Sequence, residues 1–148
     1  ASGIHRLRCR NGEDADTTLA LLASRCAFWL WHVECDGFHV PAWFLAELPL
    51  LNIPFAASTR SSLAELGRTA WEGLQGDVVC SDNRGRLTFA FRPTGIVEIR
   101  DAVDAILVAA VGAPSASATA LREFEQRTVS IDGSVRLATT SRKAKARK

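Results

Sequence analysis

Residues 13–40 read EDADTTLALLASRCAFWLWHVECDGFHV. Leu19, Leu22, Ala23, Cys26, Trp29, Leu30 and Val33 recur at i, i+3, i+4 and i+7, the period of an amphipathic helix. Glu13, Asp14 and Asp16 load its first turn with negative charge, which suits the positive end of the helix dipole. Leu21, Phe28 and Trp31 widen the apolar surface. The spacing therefore predicts one long helix over 13–33, buried on most sides and central to the core. Asp36-Gly37 ends it, because glycine adopts the left-handed conformation that stops a helix.

Outward from that helix the signals alternate between helix and turn. Residues 4–9 are expected to form a short strand, closed by Asn11-Gly12. On the other side, Pro41 suits the first position of a short helix to Leu48. Pro49 and Pro54 bracket a segment, 50–53, expected to be extended or irregular. A helix over 58–75 carries the stripe Leu63, Leu66, Ala70, Trp71 and Leu74, with Ser58 or Thr59 as its cap and Gly76 at its end. A hairpin comes next, 78–81 with 86–91, where Leu87, Phe89 and Phe91 alternate with Arg86, Thr88 and Ala90, so one face is expected to be buried. A helix over 96–111 places Ile96, Ile99, Val103, Ile106 and Ala110 on one face and Glu98, Arg100, Asp101 and Asp104 away from it. A last helix spans 117–127. The expectation is a helix-rich α+β fold: one domain over 1–129 with a small antiparallel hairpin, and a flexible basic tail over 130–148.

Composition narrows the function classes. A chain of 148 residues suits one domain with its own core. The net charge is +2, but the last seven residues hold Arg142, Lys143, Lys145, Arg147 and Lys148; without those five charges it is −3. Cationic character is therefore local: it lies in the tail and in a patch such as Arg6, Arg8 and Arg10, the places able to attract phosphates. Cys9, Cys26, Cys35 and Cys80 form no Cys-x-x-Cys pair and are expected to be free thiols in a reducing cytoplasm. No segment approaches the ~20 apolar residues of a membrane span. A cytoplasmic protein without a membrane partner is the expectation.

Catalytic and metal patterns are weak. Cys26, His32, Cys35 and His39 are near one another but match no zinc-site spacing. No Gly-x-Ser-x-Gly elbow and no phosphate-binding glycine loop occur. Asp36 beside His39 is a conceivable orienter–base pair, and a tight turn explains the same residues. No catalytic residue and no metal site are assigned.

The order of residues in the central stretch carries more. A helix starting on small residues runs into aromatics, Ser24-Arg25-Cys26-Ala27-Phe28-Trp29-Leu30-Trp31. Then come Asp36-Gly37-Phe38-His39, a short helix and Leu48-Pro49. This order resembles a stretch near the C-terminal end of adenine-specific DNA methyltransferases from bacterial restriction–modification and phage-defence systems. The helix with Leu63 and Leu74, the hairpin around Asn83-Arg84-Gly85 and the helix with Asp104 come in that family's order. The likeness runs over roughly residues 4–126, with its specific part at 24–49.

The chain departs from the family where the chemistry lies. It has no Tyr and no Asn-Pro pair, so it lacks the Asn-Pro-Pro-aromatic motif that holds a flipped-out adenine, and it lacks the methyl-donor loop. The resemblance implies a non-catalytic DNA-recognition or DNA-positioning region. Double-stranded DNA would be its target, and the catalytic domain, in the same chain or another, its partner. S-adenosylmethionine would belong to that domain, with no cofactor here. The candidate DNA contacts are His39, Arg84, Arg86, Arg142, Lys143 and Lys145, with Asp36 and Gly37 as the structural turn. Phe38 and Trp43 are expected in the core. Two other readings stand beside this one: a protein–protein interaction module without direct DNA contact, and a small enzyme using Asp36 and His39.

Overall fold

A computed structural model describes residues 6–37 and 39–129. The long apolar stripe forms two helices rather than one, α1 (Gly12–Ala23) and α2 (Arg25–Glu34). Ser24 breaks the run with an extended backbone, φ −65° and ψ 154°. Its hydroxyl donates to the Leu21 carbonyl at 2.6 Å and accepts from the Ala27 N–H at 3.0 Å, so one side chain ends α1 and caps α2. Both helices pack on the same core, but through Ala20, Leu21 and Ala27. Of the predicted stripe, Leu22, Cys26 and Leu30 are partly buried and Trp29 and Val33 are exposed, so this stretch is not buried on most sides.

Four further helices complete the chain's helical part among the described residues. They are α3 (Ala42–Glu47), α4 (Ala57–Gly76), α5 (Val97–Ala110) and α6 (Ala116–Thr128). Pro41 caps α3 rather than opening it. Pro49–Asn52, overlapping the segment 50–53 expected to be extended or irregular, is a 3-10 turn with proline in its first turn, and Pro93–Ile96 is another, leading into α5. Ala56 precedes α4 without a side-chain cap, so neither Ser58 nor Thr59 serves as one; the Ser58 carbonyl accepts the Ser62 hydroxyl at 3.1 Å. Residues 6–9 form no strand, which corrects that expectation for the part described. The tail, 130–148, lies outside the described residues.

α1 and α4 make the tightest helix pair. Gly67 permits it: a β-carbon there would overlap the Asp16 carbonyl oxygen. Asp14 accepts from Arg60 at 2.6 Å and Asp16 from Arg68 at 3.5 Å across the same contact. Leu21, Ala27, Phe44, Leu48, Leu50, Leu63, Val103 and Leu107 form the core between α1, α2, α4 and α5, with α3 and the 3-10 turn after it closing one side. Full burial of a leucine contributes ~1.5–3 kcal/mol, so this cluster dominates the stabilisation.

β1 (Val78–Asn83) and β2 (Arg86–Phe91) pair antiparallel, with Val78 opposite Phe91, Cys80 opposite Phe89 and Asp82 opposite Leu87. Residues opposite one another share a face, so Val78, Cys80, Leu87, Phe89 and Phe91 lie on one side of the ribbon. That side is exposed, not buried as expected: Leu87 and Phe89 are each 64% accessible and Phe91 48%. Among the described residues no second sheet packs on it. The hairpin is held at its base, where Phe91 meets Trp71 of α4 with ring centroids 5.7 Å apart. The architecture is α+β, a helical body bearing one two-stranded antiparallel sheet.

α5 corrects the sequence reading most sharply. Arg100 and Asp104 are buried, not turned away from the protein, because α6 and the start of α2 cover the face they occupy. Trp43 departs the other way: the sequence places it in the core, and it is 48% accessible.

Candidate functional site

The turn after α2 is built on an aromatic cluster. Phe28, Trp31, His32 and Phe124 pack together, with the His32 ring 4.2 Å from Phe28 and 4.6 Å from Trp31, centroid to centroid. His32 Nδ1 donates to the Phe28 carbonyl at 2.9 Å, which leaves Nε2 as a buried acceptor without a partner among the described residues. α2 ends at Glu34 with Cys35 in an extended conformation, so Gly37 does not stop it as expected; at φ +70°, which suits glycine, Gly37 closes the turn over that imidazole.

Asp36 organises the rest of the turn. One carboxylate oxygen accepts the His39 N–H at 2.8 Å, and the other lies 3.0 Å from His39 Nδ1. Trp31 Nε1 donates to the His39 carbonyl at 2.7 Å and ties the turn to α2. The His39 side chain is 73% accessible and its imidazole stands at the surface. Asp36, Gly37 and His39 thus form one unit that presents a ring, carboxylate-oriented, to solvent. Phe38 lies outside the described residues.

Arg84 occupies the hairpin tip with Gly85. Both have positive φ, +56° and +79°, the signature of a type I′ turn that matches the twist of the strands. Asp82 accepts the Gly85 N–H at 2.7 Å and fixes the tip. Arg84 is exposed, and Arg86 is the cross-strand partner of Asn83. The turn of His39 rests on α2, and the hairpin rests on α4. The two candidate contacts therefore belong to separate units of the fold. Arg142, Lys143 and Lys145 lie outside the described residues.

The chain matches no protein-family model, no curated protein and no solved structure.

Three features escape the sequence reading. The first is a buried ionic network. Arg25, at the start of α2, donates to Asp104 at 3.0 Å, Asp101 at 2.6 Å and Glu125 at 2.7 Å. Arg100 also pairs with Glu125, and Arg122 with Asp101 at 2.8 Å. Burial alone would lower the Arg25 pKa, but the bonds to Glu125, Asp104 and Asp101 outweigh it and hold the guanidinium charged. Burial pushes the Asp104 carboxyl up, against the pull of Arg25. This network locks α2, α5 and α6 together, and its role is structural.

The second is a small cationic cleft of about 180 Å³, where Arg8 and Arg10 meet Arg60 from α4 beside Asp14. Arg8 and Arg10 are visible in the sequence as a local patch; Arg60 is about fifty residues distant and only packing brings it there. A further cleft, about 440 Å³ and almost wholly apolar, lies between α2, α5 and α6, with Cys26, Trp29 and Phe124 in its wall. Burial and the nearby Asp104 push the Cys26 thiol up, so it stays protonated.

Among the described residues no three His, Cys, Asp or Glu side chains gather as metal ligands would. Nor is any described helix long and apolar enough to cross a membrane.

Proposed function

We propose that this chain is a non-catalytic docking region of a DNA-modifying enzyme. Its hairpin face packs on a partner module, and the turn of His39 lies toward duplex DNA. The observation that carries this reading is the exposed, mostly apolar side of the ribbon, Val78, Cys80, Leu87 and Phe89 beside Asp82, with Phe91 at its base. A two-stranded ribbon is marginal by itself, and exposed apolar side chains grouped on one face mark a contact surface. The body behind it has a well-filled core, so the exposure does not reflect a failure to fold.

The sequence resemblance supplies the kind of partner: the catalytic domain of an adenine-specific methyltransferase in the bacterial cytoplasm, in the same chain or another, with S-adenosylmethionine bound there. In this reading His39, Arg84 and Arg86, with Arg142, Lys143 and Lys145 of the tail, supply positioning contacts to the duplex rather than chemistry.

Two titrations test it. The chain is mixed with a methyltransferase catalytic module encoded at the same locus, and separately with a duplex at low salt. The expected result is a complex with the module that Leu87→Thr with Phe89→Thr abolishes in a folded protein, and duplex binding that His39→Ala and Arg84→Ala weaken. Absence of any complex with the module sinks the docking role. A complex that forms while the chain leaves the duplex unbound favours the second reading, a protein–protein module without DNA contact, which rests on the same ribbon face.

A further inference from the structure

The cleft beside α1 has the chemistry of an anion site. Three guanidinium groups, Arg8, Arg10 and Arg60, meet one carboxylate, Asp14, which leaves two positive charges in excess. That excess stands out because the chain without its last seven residues is net negative. Asp14 is already engaged: one oxygen accepts from Arg10 Nε at 2.8 Å, the other from Arg60 at 2.6 Å. The Arg10 hydrogen bond, with Arg60 behind it, holds the Asp14 carboxyl below its ordinary value. A guanidinium carries five N–H donors, and each of these two spends one on Asp14. Arg8 makes no ion pair among the described residues, so its whole fork is available.

Thr17 lies in the wall but is 5% accessible and its hydroxyl oxygen is shut off from solvent, so the donors open to a ligand are the three guanidinium groups. Size narrows the ligand. At about 180 Å³ the cleft is well below the ~300–1,000 Å³ of sites that enclose a whole small molecule, so it fits one ionic group of a larger ligand.

We propose that this cleft binds a phosphate group, with Arg8, Arg10 and Arg60 as its donors. Guanidinium forks match the oxygen geometry of phosphate, and the two excess charges balance the dianion of a terminal phosphate and exceed the single charge of a backbone phosphodiester. The same chemistry is offered by a phosphate of a nucleic-acid backbone and by a small phosphorylated molecule. The site does not depend on the methyltransferase reading.

Full-length protein labelled with ¹⁵N is titrated with inorganic phosphate at constant ionic strength, and in a second arm with a fluorescent DNA duplex. Saturable shifts are expected at the Thr17 and Thr18 amides and at the Arg10 and Arg60 Nε–H groups. Arg8→Gln and Arg60→Gln should each weaken phosphate binding about tenfold, the loss of one charged hydrogen-bond partner. Arg127→Gln, which removes an exposed charge on α6, should leave it unchanged. Arg8→Gln disturbs no ion pair among the described residues, so it serves even where Arg60→Gln fails to fold. If Arg8→Gln weakens the duplex by a similar factor and Arg127→Gln does not, the natural source is a nucleic-acid backbone. If phosphate saturates the cleft and the duplex ignores Arg8, the source is a small phosphorylated molecule. Absence of saturable shifts, or equal weakening by Arg127→Gln, overturns the site.

Discussion

Asp104 holds Arg25 by both backbone and side chain. One carboxylate oxygen accepts the Arg25 N–H at 3.0 Å and the Cys26 N–H at 3.3 Å, and the other accepts the Arg25 guanidinium at 3.0 Å. The first turn of α2 is therefore capped by a residue of α5, and a negative charge sits at the helix end that favours it.

Asp104→Ala should be severely destabilising. It leaves two buried amides without acceptors and removes one partner of a buried guanidinium, a class of change that costs about 3–5 kcal/mol. Asp104→Asn keeps an oxygen for the two amides and should cost less. Urea unfolding followed by tryptophan fluorescence measures both; equal costs would mean that the cap contributes nothing.

Acid stability depends on two carboxylates with opposite shifts. Burial raises the Asp101 pKa, but bonds from Arg25 and Arg122 outweigh it and hold it below its ordinary 3.8. Its stabilisation is complete above that value and disappears as pH falls through the lower, folded value. Asp104, raised by burial, contributes in the other sense: its share is complete below 3.8 and is lost as pH rises through its folded value. Asp101→Asn should then flatten the fall of Tm below about pH 4, while Asp14, also depressed, keeps part of that fall in place. Calorimetry between about pH 2.5 and 6 reads the difference in slope.

Two glycines should not tolerate alanine, for different reasons. At Gly67 the methyl group would force α1 and α4 apart, at a cost of about 3 kcal/mol or more. At Gly37 the left-handed backbone should cost about 1–2 kcal/mol, and the methyl would sit 3.3 Å from the His32 ring. Denaturation midpoints rank them. The Gly37 variant should also change the emission of Trp31, which the turn hydrogen-bonds.

Thiol reactivity distinguishes the described surroundings of the cysteines. Cys9 and Cys80 are exposed and should react first with a disulfide reagent near pH 8. Cys26 is held back by burial and Asp104, and Cys35 by burial with Asp36 and Glu34. Four equal rates in native protein would contradict the fold.

Helix positions are legible where one stripe meets one core. Leu63, Leu66 and Ala70 in α4 and Ile96, Val103 and Ile106 before and within α5 fall on the packed faces, whereas Trp71 and Ala110 of the same predicted stripes are exposed. The break at Ser24 is hidden because the apolar period runs through it, and the carboxylate that joins Ser24 in capping α2, that of Asp104, is 79 positions from Arg25. Arg100 and Asp104 read as solvent-facing because a charge pattern does not reveal that a later helix, α6, will cover it. Alternation in β2 tells which side chains share a face, yet not that the face stays open, since burial depends on a covering layer outside the strand. For the site, Asp36-Gly37 and its hydrogen-bonded His39 can be read locally, whereas the cleft at Arg8 and Arg60 exists only once α4 lies beside α1.

The reach of Asp104 into α2 also bears on dissection of the molecule. A peptide cut before α5 would contain every aromatic of the central stretch together with Asp36 and His39. It would lose the anchor that starts the second helix, and with it the floor on which the loop rests. The histidine's presentation is a property of the whole helical body, so grafting the 24–49 segment elsewhere transfers its letters and leaves its shape behind.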